Sequence, residues 1–153
     1  GNDLITPHPE RRFRGLKLWL SWKHLGSEGL ARLVEMNCDL AAHLARRIQE
    51  SDDFEAAPAE PELSVVCFRH LPGGGAAARH LAPEALDRHQ DRLQRALEVS
   101  GEGWVSTTKL RGRTYLRAGI VNYLSTDADA DRLLLVLRRL ATLEEAKAPL
   151  PRG

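Results

Sequence analysis

The sequence predicts an α+β domain, a small antiparallel sheet with helices packed on one face. Three observations carry that expectation. Two β-branched, apolar runs lie far apart, Leu63 to His70 and Arg113 to Asn122. Around them stand segments with apolar residues at three- and four-residue spacing, the pattern of amphipathic helices. The elements run helix, helix, strand, strand, helix, strand, strand, helix, which is not the strict alternation that builds a parallel sheet.

Residues 1–10, with Pro7 and Pro9 among polar neighbours, read as an extended lead-in. A helix is expected from Arg12 to Leu25, with Gly26 at its C-cap and Ser27 as N-cap of the next. That next helix runs to Glu50. Leu30, Leu33, Val34, Asn37, Ala41, Leu44 and Ile48 form its stripe, with Arg32, Glu35, Asp39, Arg46 and Gln49 mostly outside it. Phe54 to Ala57 reads as a short edge strand closed by Pro58 and Pro61. Leu63 to His70 is apolar on both faces and reads as a central strand. Pro72, Gly73 to Gly75 and Ala76 to Ala78 read as a loose loop.

Pro83 suits the first turn of a helix that carries Leu86, Leu93, Ala96 and Leu97 on one face. Trp104 to Arg111 and Arg113 to Asn122 then form a hairpin with Gly112 at its bend. Thr126 and Asp129 have capping-box spacing for a last helix, Asp127 to Lys147. The organisation is therefore a lead-in (1–10), a helix facing another domain or a dimer partner (11–26), the α+β domain (27–147) and a tail (148–153).

Composition narrows the function. The chain has 153 residues and a 42% hydrophobic fraction, enough for one packed core. With 22 Lys plus Arg against 21 Asp plus Glu, it lacks the broad positive field that nucleic acid or an anionic membrane would select. The Arg11-Arg12-Phe13-Arg14 cluster is isolated in that balance. No apolar run reaches the roughly 18 residues of a membrane span, and no signal peptide is visible. Cys38 and Cys67 read as buried free thiols of a cytoplasmic protein. His8, His24, His43, His70, His80 and His89 show no metal-ligand spacing, so no metal site is expected. The sequence opens on Gly1 without an initiator Met, and so reads as starting inside a longer gene product or after a processed tag.

Two features ask for a neighbour. With Leu16 at zero and about 100° per residue, Leu18, Trp19, Leu20, Trp22 and Leu25 fall near 200°, 300°, 40°, 240° and 180°. A helix apolar on every side is covered by a missing domain or a partner subunit, or else is fortuitously greasy. On the strand from Arg113, alternation turns Leu116, Ala118 and Ile120 one way and Arg113, Tyr115, Arg117, Gly119 and Val121 the other. An arginine between an aromatic and a glycine suits a carboxylate, and equally suits a solvent-facing position on an open sheet.

Three segments in order, Arg11-Arg12-Phe13-Arg14-Gly15-Leu16-Lys17-Leu18-Trp19, Val65-Val66-Cys67-Phe68-Arg69 and Tyr115-Leu116-Arg117-Ala118-Gly119-Ile120, carry a resemblance. From about Arg11 to Ala141 the chain resembles the C-terminal part of group II pyridoxal-phosphate-dependent amino-acid decarboxylases, such as the aromatic-L-amino-acid, histidine and glutamate enzymes. The Gly/Ala loop around Gly73 departs from them. The resemblance implies the small domain of a fold-type-I enzyme, a homodimer with active sites at the subunit interface. It further implies that a large domain, preceding this stretch, supplies the aldimine lysine and the aspartate that pairs with the pyridine nitrogen. Lys17, Lys23, Lys109 and Lys147 do not sit in the family's cofactor motif, so this chain alone is expected neither to hold pyridoxal 5'-phosphate covalently nor to turn over substrate. Arg117 matches a small-domain arginine that meets the substrate's carboxylate end. Arg12 matches an arginine near the active-site entrance, ordering a mobile loop or the dimer interface. The competing readings are a stand-alone α+β module binding a small carboxylate or regulating a partner, and a scaffold domain kept for assembly.

Overall fold

Helix α1 (Arg14–Gln49) is broken once, at Gly26, where φ of 68° and ψ of 176° leave the helical region. That φ is left-handed, open to glycine at little cost, which is why the expected cap falls there. The computed structural model describes residues 14–147, the Arg14 side chain apart. They belong to two units, Gly1–Glu35 and Met36–Gly153. In the first, Leu16, Leu18, Trp19, Leu20, Trp22 and Leu25 are all exposed, and Lys23 Nζ lies 5.7 Å from the Trp19 ring centroid.

The second unit opens with the end of α1, which buries Ala41, Leu44 and Ile48 of the expected stripe together with Leu40 and Ala45, whereas Val34, also expected there, is exposed. Strands β1 (Phe54–Ala56) and β2 (Val65–His70) follow, then helices α2 (Gly74–Ala78) and α3 (Pro83–Ser100). Strands β3 (Ser106–Leu110) and β4 (Arg113–Gly119) precede helix α4 (Asp127–Lys147). The sheet order is β1-β2-β4-β3 and every pair is antiparallel. Phe68 stands opposite Leu116, and Thr107 opposite Leu116 on its other side. Phe54, Val66, Phe68, Leu116 and Ala118 form the inner face, packed in one core with Leu93 and Leu97 of α3 and Leu134, Leu137 and Ala141 of α4. The fold is thus the α+β layer pair that the element order predicts. No helix among the described residues is long and apolar enough to cross a membrane.

The stretch expected as a loose loop is partly helical. Gly73 and Gly74 take φ of 73° and 85°, and the Gly75 N–H donates to the Asp52 carbonyl at 2.7 Å. Once that turn is anchored, alanine's helix propensity carries the chain to Ala78, which is buried beside Leu71 and Leu86. The hairpin is shorter than expected. Its strands exclude Trp104 and residues 120–122, and Arg111 and Gly112 form the bend with φ of 50° and 77°. Cys38 and Cys67 are free thiols, half-buried where the sequence suggested burial.

At one end of the sheet, α3 takes over from the ladder. Continuing the β2–β4 register would set His70 opposite Thr114. Instead the His70 N–H donates to Gln90 Oε1 at 3.0 Å, and Gln90 Nε2 donates to the His70 carbonyl at 2.9 Å. The Thr114 N–H donates to Asp87 Oδ1 at 3.0 Å. Gln90 is fully buried, so its amide is satisfied by the backbone it serves.

The capping box of α4 is formed. Thr126 N and Oγ1 donate to Asp129 Oδ2 at 2.9 and 2.8 Å, while the Asp129 N–H points back to Thr126 Oγ1 at 3.4 Å. Thr126→Ala is expected to cost about 1 kcal/mol, read as a lowered urea midpoint with unchanged slope. An unchanged midpoint would mean that the cap contributes nothing.

Candidate functional site

Strand alternation builds an outer sheet face from Tyr115, Arg117 and Gly119 of β4, Val65, Cys67 and Arg69 of β2, and Ser106 and Thr108 of β3. Arg117 stands opposite Cys67 on one side and Ser106 on the other, whose Oγ donates to the Arg117 carbonyl at 3.4 Å. The Arg117 side chain is exposed, and its guanidinium has no ion-pair partner among the described residues. Burial raises the Cys67 thiol pKa above its ordinary value, and the nearby Arg117 charge offsets this only in part. The thiol therefore stays protonated at neutral pH, a small apolar neighbour and not a second charge.

Arg69 shares this face and behaves oppositely. It is 4% exposed, donates from Nη2 to Asp87 Oδ1 at 2.7 Å, and has Glu55 Oε1 at 3.8 Å from Nη1. Its guanidinium lies 5.3 Å from the Tyr115 ring centroid, while its Nε is buried without a partner among the described residues. Of two arginines on one face, the fold consumes Arg69 and leaves Arg117 free. Sequence reasoning singled out Arg117 and passed over Arg69. The available signal was an arginine inside a strand apolar on both faces, a place where the charge survives only if paired. Arg12, the other expected substrate contact, lies outside the described residues.

A second polar site opens between the loop after α1, β2 and α4, as a pocket of about 700 Å³. Arg138 grips Asp53 with two prongs, Nε to Oδ2 at 2.6 Å and Nη2 to Oδ1 at 2.9 Å, and Nη2 also donates to Ser51 Oγ at 2.9 Å. That pairing, above all its hydrogen bonds, holds the Asp53 pKa below the usual carboxylate range. His70 lines the same pocket, with its Nδ1 2.9 Å from Nε2 of the fully buried His89. Burial pushes the His70 pKa down to about 4 and that of His89 to about 3, so both imidazoles are neutral at pH 7. His89 Nδ1 is buried without a partner among the described residues.

The resemblance implies a cofactor aldehyde held by a lysine, which needs an amine partly shielded from water and a cradle for the phosphate. Lys17, Lys23, Lys109 and Lys147 are all exposed. None of the four is shielded from water by the residues described.

A family model described as the pyridoxal-dependent decarboxylase conserved domain matches residues 8–71. Human cysteine sulfinic acid decarboxylase is 33% identical over 139 residues, covering 85% of this chain and 27% of that protein. The crystal structure of Oryza sativa TDC with PLP and tryptamine superposes with a TM-score of 0.71 at 28% identity, covering 88% of this chain and 28% of that one. Mouse CSAD in apo form gives a TM-score of 0.72 at 29% identity, covering 86% and 28%. The chain spans about a quarter of the length of the relatives it matches. It belongs to the pyridoxal-dependent decarboxylase family.

Proposed function

We propose that this chain is the substrate-orienting, dimer-forming part of a pyridoxal-phosphate-dependent amino-acid decarboxylase, a lyase that releases carbon dioxide and an amine. The observation that carries the reading is the free guanidinium of Arg117 on the outer sheet face, in a chain of this family. Support for a covering neighbour comes from the helix before Gly26, where six large apolar side chains are exposed. Support for a cofactor lysine elsewhere comes from the exposure of all four lysines and from the quarter-length match. In the whole enzyme the cofactor supplies the electron sink that decarboxylation needs.

What this chain supplies is charge and shape. Arg117 presents a planar fork to an anionic group, with Ser106, the neutral Cys67 thiol and Gly119 around it leaving room for a ligand. Holding the leaving carboxylate tightly would stabilise the ground state and slow the reaction. Its role is therefore to orient the substrate. Arg12 is assigned to the active-site entrance or the dimer interface.

In the full-length enzyme, Arg117→Ala is expected to lower kcat/KM for the amino-acid substrate roughly a hundredfold, the effect of losing one charge-assisted contact. Cofactor absorbance should stay intact, because the cofactor is held elsewhere. Unchanged kinetics would reject the orienting role; lost absorbance would place Arg117 at the cofactor instead.

A further inference from the structure

Three groups that the decarboxylase reading leaves unused converge at the polar pocket. His70 ends β2, His89 lies within α3 and Glu145 stands near the end of α4. One nitrogen of each ring and one Glu145 carboxylate oxygen all lie within 4.8 Å of one another. Both imidazoles are buried, and the rings sit with centroids 5.1 Å apart. Glu145 lines the same pocket as His70 and has no hydrogen-bond or ion-pair partner among the described residues. The sequence conceals this cluster, because its members are separated by 19 and 56 positions and so show no ligand motif.

The geometry points to a divalent transition-metal site formed by His70, His89 and Glu145, taking an ion of the zinc class. Two neutral imidazoles and a carboxylate are a donor set that zinc, cobalt and nickel share, whereas calcium and magnesium require oxygen ligands. Two nitrogens about 2.0 Å from a tetrahedral ion stand roughly 3.3 Å apart. His70 Nδ1 and His89 Nε2 are 2.9 Å apart, so the two rings need part by only a few tenths of an ångström, while the Glu145 carboxylate, within 4.8 Å of both, closes on the ion by side-chain rotation.

Three guanidinium charges reach the ligands, Arg138 at His70 and Arg69 and Arg92 at His89, and Asp87 already pairs with Arg69. Arg138 would oppose a cation in this pocket, but Asp53 already engages it with both carboxylate oxygens. Glu145 remains to balance the ion's charge. The pocket supplies a route in and space for water at an open coordination position. Gln90 fixes the His70 backbone from both its N–H and its carbonyl, so the ligand at the end of β2 is positioned before any ion arrives. The bound ion ties β2, α3 and α4 together. This inference does not depend on the decarboxylase reading.

Cobalt(II) added to the chelator-stripped intact chain is the direct test. One equivalent should bind, giving the visible bands of a four- or five-coordinate ion, and zinc should displace it and raise the melting temperature. Glu145→Gln, a conservative change at a half-buried position, should weaken binding roughly tenfold or more without altering the metal-free melting temperature. His43→Ala, which disrupts a different histidine beside Asp127 and Asp131, should leave affinity unchanged. No stoichiometric binding would overturn the site. So would a sulfur charge-transfer band in the near ultraviolet, which assigns the ion to Cys38 or Cys67, or unaltered affinity in Glu145→Gln.

Discussion

Replacing Asp87 with Ala is expected to destabilise the chain by about 3–5 kcal/mol, the range for breaking a buried ion pair from one side. The Arg69 side chain is 5% exposed and already carries one buried nitrogen without a partner. Losing the 2.7 Å contact leaves it only Glu55, 3.8 Å away and half in water. The same change removes the acceptor of the Thr114 N–H, a buried donor worth about 1–3 kcal/mol when left unmade. Asp87→Asn keeps an acceptor in place and removes only the charge, so it should cost clearly less than Asp87→Ala. Urea unfolding of both variants at neutral pH checks this. A loss below about 1 kcal/mol for Asp87→Ala would mean that Arg69 escapes to solvent when its partner is gone.

Acid should unfold the metal-free chain at a milder pH than its carboxylates alone would dictate. His70 and His89 titrate near 6.5 when unfolded, against about 4 and about 3 when folded. Burial is the main cause for both. At His70 the Arg138 charge adds to it and Asp53 opposes it; at His89 the charges of His70, Arg92 and Arg69 add to it. The unfolded state therefore binds more protons throughout this window, so stability rises with pH there and falls as pH drops below 6.5. Between pH 6.5 and 5 the pair should remove roughly 3–4 kcal/mol. Glu145, whose pKa burial raises, works weakly in the opposite direction. Asp53, lowered by Arg138, adds its own loss only at more acidic pH. Urea midpoints measured from pH 7 to 5 with a chelator present should fall steeply. A flat profile would show that the histidines are solvated.

Most of the fold was legible because its signals are local. The α1 stripe at Ala41, Leu44 and Ile48, the glycine break at 26, the bend at Gly112 and the Thr126 cap each depend on residues within a few positions of one another. The helix at Gly74–Ala78 was missed because its anchor, the Asp52 carbonyl, lies more than 20 residues away. The site divides the same way. Alternation along β4 turned Arg117 outward, and the apolar strand around Arg69 signalled that its charge needs a partner, but nothing in the spacing named that partner. It is Asp87, which reaches Arg69 from a helix. The meeting of His70 and His89 was equally hidden, since it needs the docking of α3 on the end of β2.

The way α3 completes the sheet has a consequence for how strand pairing is checked. Gln90 and Asp87 recognise backbone groups at particular positions of β2 and β4, and both are positioned by one rigid helix. Sliding β2 by one residue would turn Phe68 outward and bring Arg69 inward. It would also leave the Gln90 amide facing the wrong peptide group, and each polar group stranded in the core costs about 1–3 kcal/mol. Helix α3 thus acts as a gauge for the alignment of the two central strands: it seats fully on the correct one alone. The amide protons of His70 and Thr114, though beyond the last rung of the β2–β4 ladder, should exchange with solvent as slowly as those inside it.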